Sequence, residues 1–128
     1  MNLLLDAHAF IWLDDGRQKL SSTAAAACTN RANTLWLSAV TLWEIQIKFQ
    51  IGKLKLRGSL ADVLSEQERV NGLKILPLGS AHALALGDLP FHHNDPFDRM
   101  LIAQAKHEGW DIVTKDPEFK LYPVGVVW

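Results

Sequence analysis

Short, unbroken apolar runs set between helix-forming segments constrain this chain more than any other feature. "NLLLD", residues 2–6, is one such run, and "TLWL" (34–37), "LKILPL" (73–78), "WDIVTKD" (110–116) and "VGVV" (124–127) follow it. A run without polar alternation reads as a strand covered on both faces. The intervening segments carry helix grammar. "AHAFIWL" ends near "DDG", and "SSTAAAACTNRA" places serine caps ahead of alanines, the best helix formers. "SLADVLSEQERVNG" is amphipathic, with Leu60, Val63, Leu64 and Val70 expected toward the core. "SAHALALGDL" reads as a short helix. In "DPFDRMLIAQAKHEG", Asp95 is the expected N-cap, Pro96 the first helical residue and Gly109 the stop. Strands alternating with helices predict an α/β fold, a parallel sheet with helices on both faces. With 128 residues and no repeat, low-complexity tract or Pro/Gly-rich linker, residues 1–128 read as a single domain.

One segment pulls two ways. Trp43, Ile45, Ile47, Phe49 and Ile51 alternate with Glu44, Gln46, Lys48 and Gln50, the period of a strand. Against this, Ser38 and Thr41 are capping residues, "TLWE" fits a capping box, Glu44 and Lys48 stand at i,i+4, and Gly52 is a stop. The balance favours a helix after Ser38.

Composition excludes several classes. A net charge of −1 offers no bulk positive field to nucleic acid or anionic lipid. Cys28 is the single cysteine, so no internal disulfide can form, and with no signal peptide the chain reads as a protein of the reducing cytoplasm. No stretch approaches the roughly 20 apolar residues of a membrane span. Neither a Walker A sequence nor GxGxxG is present. His92 and His93 lack the spacing and the further ligands of a zinc site; they fall on the loop before the "DPFDR" helix. "DAHAF" has His8 where the second acid of a haloacid-dehalogenase-like D-x-D pattern belongs.

The chemistry lies in the acids. In open parallel sheets the functional crevice opens at the carboxyl ends of the strands. Asp6 and Asp116 each follow a strand-like run, Glu44 opens the helix after the second strand, and Asp98 lies in the first turn of its helix. Each has a plain structural use as well: Asp6 and Asp95 as N-caps, Glu44 in a capping box, Asp98 at a helix dipole, Asp116 in a turn before Pro117. Their joint placement at one edge is the functional argument. Carboxylates packed so closely repel one another, and a divalent cation with oxygen preference, Mg²⁺ or Mn²⁺, removes the conflict. Such a site suits phosphodiester hydrolysis by in-line attack of a metal-activated water, on one metal or two.

"LLLDAHAFIW", "LSAVTLWEIQIKFQIGKLKL", "HHNDPFDRMLIAQA" and "IVTKD", in that order and spacing, resemble the PIN-domain ribonucleases, and among them the VapC-type toxins of bacterial toxin–antitoxin pairs. The resemblance implies a PIN-like parallel α/β sheet, Mg²⁺- or Mn²⁺-dependent RNA cleavage, a homodimer, and inhibition by a small VapB-like antitoxin. Carried over by motif, Asp6, Glu44, Asp98 and Asp116 are the four acidic positions. Asp95, in "DPFDR", caps the helix, holds a metal-bound water or shares the third role. Ser38 and Thr114 match small hydroxyl positions that orient carboxylates. The resemblance also makes "TLWEI" helical. Basic residues are local: Lys48, Lys53, Lys55 and Arg57, with Arg99 and Lys115 near the acids. Lys48, Arg99 and Lys115 are the candidates for touching RNA, whereas "KLKLR" reads rather as a solvated strand edge. Two other functions share this reading of the fold: a housekeeping RNA-processing nuclease and a non-catalytic interaction module.

Overall fold

Leu3, Leu4 and Leu5 are each fully buried, yet they serve two different cores. Successive side chains of a strand point to opposite faces, so Leu3 and Leu5 enter one layer and Leu4 the other. This is why the first strand shows no polar alternation. The computed structural model describes all residues, Met1–Trp128. Strands β1 (Asn2–Leu5), β2 (Thr34–Ser38), β3 (Lys74–Leu76), β4 (Asp111–Val113) and β5 (Val126–Val127) form one sheet in the order β3-β2-β1-β4-β5, with every pair parallel. The helices are α1 (Ala7–Asp14), α2 (Ser22–Thr29), α3 (Ala39–Gln50), α4 (Leu60–Asn71), α5 (Ser80–Ala85) and α6 (Pro96–Glu108). The larger core takes Phe10 and Leu13 of α1, Ala24 of α2, Ile45 of α3 and Val63 of α4. On the other face, Leu101, Ile102 and Ala105 of α6 pack with Ile112, Phe119 and Tyr122. No helix is long and apolar enough to cross a membrane.

The segment with strand-like alternation is helical. Ser38 caps it, its hydroxyl accepting from the Val40 N–H at 3.1 Å. Ile45 fills the core, while Trp43, Phe49 and Ile51 stay exposed. The alternating apolar residues therefore never shared a face, and tertiary packing selected the helical period. Because the cap is Ser38 and not Thr41, Glu44 belongs to no capping box. It lies in the second turn of α3, not at its start.

Three further expectations are corrected. Val70 is 40% exposed, because α4 turns it away from the face that carries Leu60 and Val63. "KLKLR" is a loop between α3 and α4, not a strand edge, and its Arg57 pairs with Asp14 at 2.6 Å. The third strand stops at Leu76, since Pro77 has no N–H for a ladder. The last helix follows its grammar: Asp95 caps it, Pro96 opens it, and Gly109 closes it at φ +74°, a conformation that favours glycine.

Arg99, expected near RNA, is a structural residue. It is 5% exposed, and its guanidinium donates to the carbonyls of Pro90 (2.7 Å) and Leu89 (3.2 Å) and to the Tyr122 hydroxyl (3.4 Å). Phe91 lies 3.9 Å across its face. The residue thus ties the segment before α6 to the helix and to Tyr122. Arg99→Ala leaves these acceptors unpaired and is expected to cost about 2–4 kcal/mol, read as a lowered midpoint in urea unfolding.

Candidate active site

The register of the sheet assembles the site. Leu5 pairs with Leu37 on one side and Val113 on the other. One residue further along, Asp6, Ser38 and Thr114 stand side by side at the carboxyl edge, with the Asp6 N–H bonded to the Val113 carbonyl at 3.1 Å. The chain runs from β1 to β2 on one side and returns to β4 on the other, so the crevice between β1 and β4 is the topological switch point where such sheets bind ligands. Asp6 and Asp116 enter it from these two strands, Glu44 from α3, and Asp95 and Asp98 from the first turn of α6. Together they line one cleft of about 480 Å³, with Lys48, Lys115, His8 and Trp12 on its walls. Carboxylate oxygens of Glu44, Asp95 and Asp98 lie within 4.8 Å of one another.

Three of the acids are both caps and site residues. Asp6 Oδ1 accepts from the Ala9 N–H at 2.8 Å, Asp95 Oδ1 from Phe97 and Asp98 at 2.9 and 3.0 Å, and Asp116 Oδ1 from Glu118 at 2.9 Å. Capping consumes one oxygen and fixes the plane of the carboxylate; on Asp95 and Asp116 it leaves Oδ2 uncommitted. The capping reading and the ligand reading of these residues are compatible.

Electrostatics mark the cleft. Asp98 is pushed up to about 7, chiefly by burial and then by the charges of Asp95, Glu44, Asp116 and Asp6. All four other acids therefore act on one carboxyl group. Burial also raises Asp6, offset by hydrogen bonds from Thr114 and the Ala9 N–H and by the charge of His8. Lys48 is raised, first by its hydrogen bond to Glu44. A set of hard oxygen donors whose members cannot all ionise together fits a divalent cation that supplies the missing positive charge.

The structure brings together Asp6, Glu44, Asp95, Asp98 and Asp116, with Lys48 and Lys115 beside them. Thr114 is buried at the edge, where its hydroxyl counters the upward shift of Asp6 and accepts from the Asp116 N–H at 3.1 Å. Ser38 makes no hydrogen bond to a carboxylate. Its hydroxyl caps α3 and bonds Gln104 Oε1, so it orients a helix and not an acid. Gln104 escaped the sequence reading. It is fully buried on α6, the helix of Asp98, and through Ser38 it locks that helix to α3, the helix of Glu44. The available signal was a polar residue amid "LIAQA", on a helix face otherwise apolar. Trp12 and His8, tilted rings with centroids 5.3 Å apart on the cleft wall, were likewise not among the candidate site residues.

A cluster of acids at the switch point of a five-stranded parallel sheet defines a class of protein, and comparison with known proteins agrees. Residues 3–124 match the model of the PIN domain, and this chain belongs to the PIN-domain family. It is 32% identical over 116 residues to Ribonuclease VapC22 of Mycobacterium tuberculosis, covering 89% of this chain and 86% of that protein. In fold it is similar to the structure of VapBC2 from Rickettsia felis bound to a promoter DNA fragment, with a TM-score of 0.74 at 17% identity, covering 98% of this chain and 97% of that one. FitAcB from Neisseria gonorrhoeae is similar at a TM-score of 0.64 and 22% identity, covering 97% and 95%.

Asp98 makes the metal-free protein sensitive to pH. Between its ordinary value of 3.8 and about 7 the folded chain holds a proton that the unfolded chain has released. Stability contributed by that proton is present at low pH and is lost as pH rises toward 7. In chelator-treated protein, Asp98→Asn is expected to raise Tm at pH 8 by roughly 3–6 °C, allowing for solvent screening, and to leave Tm at pH 4 little changed. Thermal melts of the two proteins across this range check the sign.

Proposed function

We propose that this protein is a Mg²⁺- or Mn²⁺-dependent endoribonuclease, the toxin of a VapBC-type toxin–antitoxin module. The observation that carries the reading is the convergence of five carboxylates in one cleft of a PIN-family chain. The likeness to a protein named a ribonuclease supports the activity, and the likeness to VapBC assemblies supports a small antitoxin as partner. A homodimer and a cytoplasmic location accompany this reading.

Asp6, Glu44, Asp98 and Asp116 would hold the cation, with Asp95 contributing its free oxygen. When bound, the cation supplies positive charge at the phosphate and a water acidic enough to become a nucleophile near neutral pH. The chain's own residues do the rest. Backbone N–H groups hold Asp6, Asp95 and Asp116 in fixed orientation before anything binds, so little reorganisation is needed. Asp98, pushed up to about 7 by burial and then by its neighbours' charges, would ionise more readily with a cation beside it. Lys115, exposed at the rim of the cleft, is the residue placed to meet an RNA backbone. With a net charge of −1, long-range attraction to RNA is weak, which favours selection by an unpaired loop or by shape.

The test uses purified protein and end-labelled RNA with Mg²⁺, Mn²⁺ or chelator. Cleavage is expected only with metal, and Asp6→Asn is expected to slow it by roughly 100-fold or more. Metal-independent binding without cleavage would refute the enzyme and leave an interaction module. Growth arrest on expression, relieved by a small neighbouring gene and absent in Asp6→Asn, separates a toxin from a housekeeping nuclease.

A further inference from the structure

Glu44 faces a problem that the capped aspartates do not. It is 6% exposed and sits in the interior of α3, where no helix N-terminus offers an N–H to its charge. A buried carboxylate without a partner is strongly destabilising. Lys48 supplies the partner from one turn further along the same helix, with Nζ 2.9 Å from Glu44 Oε2. The ammonium lies in the field of Asp95 and Asp98 as well and forms part of the cleft wall. Lys115, the other cleft lysine, instead lies over the Trp12 ring, 6.0 Å from its centroid.

We propose that Lys48 is an internal counter-ion of the cleft, competing with a divalent cation for Glu44 and so setting how tightly that cation binds. The inference rests on the cleft being the cation site described above. In the metal-free chain the ammonium offsets part of the repulsion among Glu44, Asp95 and Asp98, and thereby helps α3 and α6 stay packed. A dication arriving at these carboxylates finds Oε2 of Glu44 already engaged and a positive charge beside it. Lys48 is thus a positioning residue for Glu44, and its charge lowers metal affinity in exchange for a stable empty site.

Mn²⁺ titrated into the full-length, chelator-stripped protein by calorimetry tests this. Lys48→Met is expected to bind Mn²⁺ roughly threefold or more tightly than wild type, and to show a lower metal-free Tm with a larger rise on adding Mn²⁺. Lys48→Gln, which keeps a hydrogen-bond donor without the charge, is expected to tighten binding too and stands in if Lys48→Met does not fold. Lys48→Arg, which keeps the charge, is expected to match wild type. Unchanged or weaker Mn²⁺ binding in the folded neutral variants overturns the counter-ion role while leaving the cation site intact. Absence of Mn²⁺ binding in wild type and variants alike overturns the cation site, and this inference with it.

Discussion

Repulsion among carboxylates governs this protein. The register of the parallel sheet and the placement of α3 and α6 press five acids into one cleft, where burial first, and then the charges of the other four, raise Asp98. Everything around the cleft can be read as a response to it. Two cores, one on each face, bury the sheet whose strands carry Asp6 and Asp116 to the cleft. Ser38 and Gln104 join the two helices that carry Glu44 and Asp98, and Lys48 lends a positive charge to the most buried side of the cluster.

The site also shows how a fold serves stability and chemistry with the same atoms. A helix N-terminus needs an acceptor, and an aspartate provides one with a single oxygen. Asp95 and Asp116 meet that need with Oδ1 and keep Oδ2 free for the cleft. Capping therefore fixes these carboxylates at the cleft without a dedicated scaffold. The separate tie made by Arg99 keeps the segment before α6 in place, so the capping turn that bears Asp95 and Asp98 is not left to move.

Much of this was legible in the chain. Runs such as "NLLL" announced a sheet buried on both faces, and "DPFDR…HEG" announced the cap, start and stop of α6. Asp6, Asp95, Asp98 and Asp116 could be assigned to the sheet's carboxyl edge because each follows a strand or opens a helix, whereas Glu44, expected to open α3, lies one turn further in. Less legible were residues whose role depends on what lies opposite. Arg99 looks like an RNA contact beside Asp98, but one residue along a helix turns a side chain by about 100°, and the buried Arg99 guanidinium is captured by the Leu89 and Pro90 carbonyls. Ser38 looks like a carboxylate's partner, yet its hydroxyl turns to Gln104.

Local grammar by itself determined the elements, their order and the type of residue at each strand end, because capping, chain stiffness and apolar period act over a few neighbouring residues. At α3 the local signals conflict, since alternation points to a strand and capping to the helix that the balance favoured and the fold adopts. Tertiary structure alone decided the partners of Ser38, Gln104 and Arg99, and the raised proton affinity of Asp98. These depend on groups 60 or more residues apart in some cases, as with Ser38 and Gln104. Desolvation and charge–charge repulsion are set by distance in space, and a linear sequence does not contain that distance until the sheet has closed.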